Sequence, residues 1–201
     1  MASSPSITIS DWDATTLDTF LVTISPHHRI KTLVTCDPVA ATQFLPHLTQ
    51  SPIIGLDIEW RPNQSPQTHN SVSTIQLSCS THCLIFQLIH APEIPGPLIE
   101  FLRDSNRRFV GVGVREDVGR LREDYGLIVG ENVVELGDVV GKRGVGLREL
   151  GRVVVGIDVE KPKRVTMGKW DVKVLSYEQI QYACVDAFLS FEIGRRLLED
   201  G

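Results

Sequence analysis

Asp57 and Glu59 in IIGLDIEW, Asp117 in FVGVGVREDVGRL, and Tyr182 with Asp186 in QIQYACVDAFLSFEIGRRL are the residues of this chain whose types and spacing could do chemistry. Asp57 and Glu59 stand two apart at the end of an apolar run. Side chains alternate along a strand, so both carboxylates leave the same face. Tyr182 and Asp186 stand four apart in a helical pattern and share a face, one turn apart. Converging carboxylate oxygens suit a pair of hard divalent cations, because magnesium takes oxygen ligands in octahedral geometry and keeps positions open for phosphate and water. The chemistry implied is two-metal hydrolysis of a phosphodiester.

Each segment also has an ordinary reading. An acidic pair at a strand end suits the solvated mouth of a sheet, Asp117 suits the positive end of a helix dipole, and Tyr182 with Asp186 suits a core-edge aromatic beside a surface charge. Two features weigh against these readings. An apolar strand that delivers two like charges into the core needs a cation to offset them, and Asp186 is flanked by Ala183, Cys184, Val185, Ala187 and Phe188, where a lone carboxylate needs a partner.

The elements that must hold these residues can be read along the chain. SITIS, TFLVTIS and RIKTLVT are short strands of an antiparallel prelude. DPVAATQFLPHLTQ is a helix capped by Asp37, with Pro38 at its first position. PIIGLDIEW, STIQLSC and HCLIFQL are strand runs, followed by a helix near 95–103. FVGVGV reads as a buried strand whose glycines permit close backbone approach, then a helix from about Glu116 to Tyr125 and a strand in NVVEL. LRELGRVVVG has helical spacing with a β-branched tail, VEKPKRVTMGKWDVKVL reads as irregular, and Ser176 with Gln179 can form a capping box opening a long final helix. The fold class expected is α/β, one mixed sheet flanked by helices, with residues 1–51 as an N-terminal strand segment and helix and 52–201 as the main domain.

At 201 residues and 42% hydrophobic, the chain can bury one well-packed core. Its net charge of −5 excludes coating nucleic acid by bulk charge, so any such substrate must be met by a local patch or through bound cations. Nine Lys and Arg against four Asp and Glu between Lys142 and Lys173 supply one such patch. Lys161, Lys163, Arg164 and Lys169, with Arg61 after the first motif, are the candidate phosphate binders, although a solvated loop would use them equally well. GKRGVG lacks Walker spacing, which excludes a triphosphatase loop. Cys79 and Cys83 beside His82 lack a recognised zinc-finger spacing, and Trp60 and Trp170 suit core packing more than base stacking. Four cysteines without a disulfide-scaffold pattern, and a start without signal-peptide character, lead to the expectation of a reducing compartment, cytoplasmic with the nucleus also open, and no membrane span.

The order and wording of the three motifs resemble the DnaQ-like exonucleases of the DEDD subclass that carries a tyrosine. Asp57 and Glu59 match its Asp-x-Glu, Asp117 its acid after a glycine-rich strand, and Tyr182 and Asp186 its Tyr-x-x-x-Asp. IGLDIEW, TIQLS, VGVGVREDVGRL and LSYEQIQYACVDAFLS are similar to Werner-type exonuclease domains from about Pro52 to the C-terminus. The resemblance implies a ribonuclease H-like fold and 3′→5′ hydrolysis with two Mg2+ or Mn2+ ions. Asp57, Glu59 and Asp186 would hold the ions, Asp117 would complete the shell directly or through water, and Tyr182 would position the attacking water. The chain's size and short N-terminal strands also resemble the small plant RISC-interacting clearing 3′→5′ exoribonucleases, which implies a homohexamer, single-stranded RNA as substrate and an Argonaute partner. A repair-type DNA exonuclease and a non-catalytic nucleic-acid or Argonaute-associated scaffold are the alternatives.

Overall fold

The computed structural model describes residues 7–12, 18–65, 67–142 and 144–199. Among the described residues, eight strands form one mixed sheet in the order β1-β2-β3-β6-β5-β4-β7-β8. The first three are β1 (Thr8–Asp11), β2 (Thr19–Ser25) and β3 (His28–Thr35). They make the expected antiparallel hairpins, and β3 then pairs in parallel with β6 (His82–Phe86), Leu33 opposite Leu84. The prelude is thus a continuation of the main sheet, a long-range pairing that local patterning does not encode. At the centre, β5 (Val72–Ser78) runs antiparallel to both β6 and β4 (Ile53–Trp60), and all seven of its residues are buried, as both faces of a covered central strand must be. β7 (Arg108–Gly111) and β8 (Val133–Glu135) complete the sheet in parallel.

Local chemistry sets the helix ends. In α1 (Pro38–Phe44) the Asp37 carboxylate accepts from the Val39 N–H at 3.0 Å, as the sequence predicts. α2 (Gly96–Arg103) follows, and α3 (Val114–Tyr125) starts two residues before the expected Glu116. The cause is Gly113, whose φ of 77° makes a left-handed turn that ends the strand run early and caps the helix. Two short helices, α4 (Leu136–Val139) and α5 (Leu147–Leu150), precede a π-helical turn over Gly151–Val155, where the β-branched tail loosens the helix. The supposedly irregular stretch contains one further turn of helix, α6 (Lys163–Thr166). The capping box forms in full: the Gln179 N–H reaches Ser176 Oγ at 3.2 Å and the Ser176 N–H reaches Gln179 Oε1 at 3.1 Å, opening α7 (Tyr177–Glu199).

α7 is the element on which the sheet is organised. It packs across β4 to β7, with Ile180, Phe188, Leu189 and Ile193 buried. Each contributes about 1.5–3 kcal/mol of apolar burial. No helix among the described residues is long and apolar enough to cross a membrane.

Candidate active site

The acidic residues meet because α7 lies directly on β4. Gly55, Asp57 and Glu59 share one face of that strand, and the Gly55 Cα sits against the backbone of Ala187 and Phe191, where a Cβ would be only 2.6 Å from the Phe191 nitrogen. Directly before that contact, and one turn earlier, α7 presents Asp186 and Tyr182 to the half of β4 that carries Asp57 and Glu59. The sequence offers a sign of this approach in the lone glycine inside an apolar strand run, but Gly55 is not among the expected site residues.

The carboxylates act on one another electrostatically. Burial, followed by the charges of Asp186 and Asp117, pushes the Asp57 carboxyl well above its ordinary range. Burial, followed by Asp57 and Asp186, does the same to Glu59. Asp57 Oδ2 is sealed from solvent and has no hydrogen-bond partner, which leaves a strong acceptor unsatisfied. Asp117 sits in the first turn of α3, yet the helix dipole does not govern it. Burial first, then Glu116 and Glu135, pushes its carboxyl up to about 7. Glu135 is itself held by the Gly113 N–H, at 2.9 Å to Oε2, so β8 also helps to fix the start of α3.

Tyr182 is half-buried, and burial followed by the Asp186 and Glu59 carboxylates pushes its hydroxyl far above the usual phenol range. It keeps its proton at neutral pH. Trp170, fully buried, packs against it with ring centroids 6.1 Å apart, so this tryptophan braces the site as expected of a packing residue. The segment around it is pinned from two sides. Gln87 Nε2 donates to the carbonyls of Val172 and Lys173 at 3.1 and 3.2 Å, and Gln179 Nε2 donates to that of Lys169 at 3.1 Å.

The basic residues divide. Lys161 enters the acidic site itself, its ammonium 2.7 Å from Asp186 Oδ2 and 5.5 Å from the Tyr182 ring centre. Arg61 pairs with Asp171 at 3.1 Å and Arg164 clasps Glu178 at 2.7 and 2.9 Å. Lys163 and Lys169 are exposed. Arg164 and Glu178 line a cleft of about 440 Å³ that Tyr182 and Asp186 also line. Trp60, half-buried, carries the Arg120 guanidinium 4.0 Å from its ring centre, Cys83 is buried within β6, and Cys79 is buried just past the end of β5.

Among the described residues, no three His, Cys, Asp or Glu side chains are drawn into a metal-holding cluster. The donor set nevertheless fits hard divalent cations in kind: all oxygen, sealed on one side, and with an orphaned oxygen on Asp57.

Comparison with known proteins agrees with this geometry. The family profile described as 3'-5' exonuclease matches residues 34–200. The chain belongs to the DnaQ-like 3'-5' exonuclease family. A 3'-5' exonuclease of Arabidopsis thaliana is 33% identical over 151 residues, covering 72% of this chain and 52% of that protein. The mouse bifunctional 3'-5' exonuclease/ATP-dependent helicase WRN is 28% identical over 156 residues, covering 75% of this chain and 11% of that protein. The chain therefore spans about half the length of the Arabidopsis relative and a small part of the mouse one. Among solved structures, Escherichia coli RNase D, an exoribonuclease involved in structured RNA processing, superposes with a TM-score of 0.73 at 17% identity, over 84% of this chain and 44% of that one. The Aedes aegypti Nibbler EXO domain does so at 0.71 and 16%, over 88% and 91%. These two establish the ribonuclease H-like exonuclease fold.

Proposed function

We propose that this exonuclease-family chain is a divalent-metal-dependent 3′→5′ exoribonuclease that removes mononucleotides from single-stranded RNA. The observation that carries the reading is that Asp57, Glu59, Asp117 and Asp186, from three separate elements, lie close enough for their charges to act on one another, with one Asp57 oxygen sealed and unpartnered. Those four would hold two Mg2+ or Mn2+ ions, which when bound supply water activation and stabilise the leaving 3′ oxygen. Tyr182, protonated and braced by Trp170, donates a hydrogen bond that positions the attacking water rather than taking its proton. Arg164, which lines the cleft, offers charge-assisted contacts to the phosphates behind the 3′ end, with the exposed Lys163 and Lys169 and with Arg61 as further phosphate binders in the same reading.

RNA stands first, and DNA second, on the likeness to the small plant enzymes. That likeness also supports the proposals of a homohexamer, an Argonaute partner in the silencing complex and a cytoplasmic or nuclear site of action, with residues 52–201 as the catalytic domain and 1–51 packed on it.

The test is degradation of 5′-labelled RNA and DNA oligonucleotides of one sequence, with and without chelator, and with the 3′ end free or phosphorylated. The expected result is metal-dependent shortening of the free-ended RNA, with the 3′ phosphate slowing it strongly. Faster loss of the DNA would put the repair-type substrate first, and no turnover of either under excess metal would overturn the enzymatic reading.

A further inference from the structure

Lys161 stands where its charge matters most to the carboxylates. Its ammonium bonds Asp186 Oδ2 at 2.7 Å, lies against the Tyr182 ring, and exerts its charge on Asp57 and Glu59. Asp186 is only 3% exposed. Lysine is a compact point charge on a four-carbon stem, and this one rises from the irregular stretch between Gly156 and α6, outside any helix or strand. A single ammonium cannot satisfy every carboxylate here, and Asp57 Oδ2 remains unpartnered.

Resting on the two-cation reading above, we propose that Lys161 is a built-in counter-cation of the acidic site: it holds Asp186 in the metal-free protein, competes with the divalent ions for that carboxylate, and is released when they bind. Two opposing demands explain its presence. Without any cation, like charges brought together by α7 and β4 would repel and loosen that contact. With a divalent ion, two positive charges outbid one, and the flexible stem lets the ammonium leave without moving the backbone.

The experiment measures Mn2+ binding by electron paramagnetic resonance, and thermal melting with and without Mn2+, for the wild-type chain, Lys161→Met and Lys161→Arg. Lys161→Met is expected to bind Mn2+ roughly tenfold more tightly, since the competing charge is gone. Its melting temperature should fall below wild type without metal and return to it when Mn2+ is saturating. Lys161→Arg, which keeps the charge, should stay near wild type in both readouts. A brace with no counter-cation role would instead lower the melting temperature equally with and without metal and leave the affinity unchanged, which overturns the proposal while the two-cation reading stands. If wild-type protein binds no Mn2+, that reading falls and the proposal falls with it. Should Lys161→Met not fold, the wild-type protein answers alone: acylation of Lys161 by an amine reagent, read by peptide mass, should speed up several-fold on adding Mn2+, and an unchanged or slower rate overturns the proposal.

Discussion

Gly55 of β4 and Ala187 of α7 meet backbone to backbone, the glycine Cα facing the alanine carbonyl with no room for a side chain between them. The whole acidic constellation depends on this approach, since it sets how far Asp186 and Tyr182 stand from Asp57 and Glu59. A methyl group at Gly55 must push α7 away or bend the strand. Gly55→Ala is expected to cost about 3 kcal/mol in urea unfolding and, because the helix shifts, to weaken Mn2+ binding. Full stability in the variant would show that the contact is looser than described.

Asp57→Asn separates catalysis from stability. The amide keeps the shape of the side chain and removes a charge that burial already disfavours, so the metal-free protein should melt a few degrees higher, roughly 1 kcal/mol of gain. Turnover of RNA should fall on the order of 10²-fold or more. Near-normal turnover with excess metal would remove Asp57 from the ion-holding set.

Tyr182→Phe keeps the ring that packs on Trp170 and loses only the hydroxyl. Single-turnover rates at saturating substrate are expected to drop roughly 10²-fold with little change in melting temperature. The hydroxyl stays protonated in this site, so the wild-type rate should show no acid limb assignable to Tyr182 across neutral pH. A rate unchanged by the substitution would leave Tyr182 a packing residue.

Glu192 provides a pH-dependent contribution remote from the chemistry. Burial works to raise its carboxyl, but the Arg195 and Arg196 guanidiniums, at 2.9 and 3.1 Å, override it and hold the group below its usual 4.5. The stabilisation is therefore complete above about 4.5 and is lost as pH falls through the lower folded value. Glu192→Gln should cost about 2 kcal/mol near pH 7, a figure already reduced for the half-exposed arginines, and the gap to wild type should narrow as pH falls below 4.5 and through the lower folded value. A constant gap across that range would assign the loss to packing.

What the chain discloses without a structure follows the range of each interaction. The Asp37 cap and the Ser176–Gln179 box involve neighbours within three residues, and both form as read. The Asp-x-Glu and Tyr-x-x-x-Asp spacings disclose faces, so the convergence of Asp57, Glu59, Tyr182 and Asp186 is legible once the helix is known to cover the strand. The start of α3 lies two residues before the position that the sequence suggests, because a left-handed glycine can end a strand and cap a helix without any polar signal. The Lys161–Asp186 pair is separated by 25 residues and the β3–β6 pairing by about twice that distance, and nothing in local composition marks either. Lys161 looked like one basic residue among nine. Only the fold distinguishes it from Lys163, two positions on and turned to solvent.

The parallel seam between β3 and β6 bears on how the molecule can be cut. Shortened to residues 52–201, the sheet would stop at β6, whose Cys83, Leu84, Ile85 and Phe86 are all buried. Their amides and carbonyls would lose the partners that β3 provides, beside a row of apolar side chains. Such a margin is a template for any other strand it meets. The fragment would carry every carboxylate of the site and still be prone to precipitate at concentrations where the longer chain stays dissolved, so the N-terminal hairpin acts as a selvedge that keeps the catalytic sheet from unravelling into its neighbours.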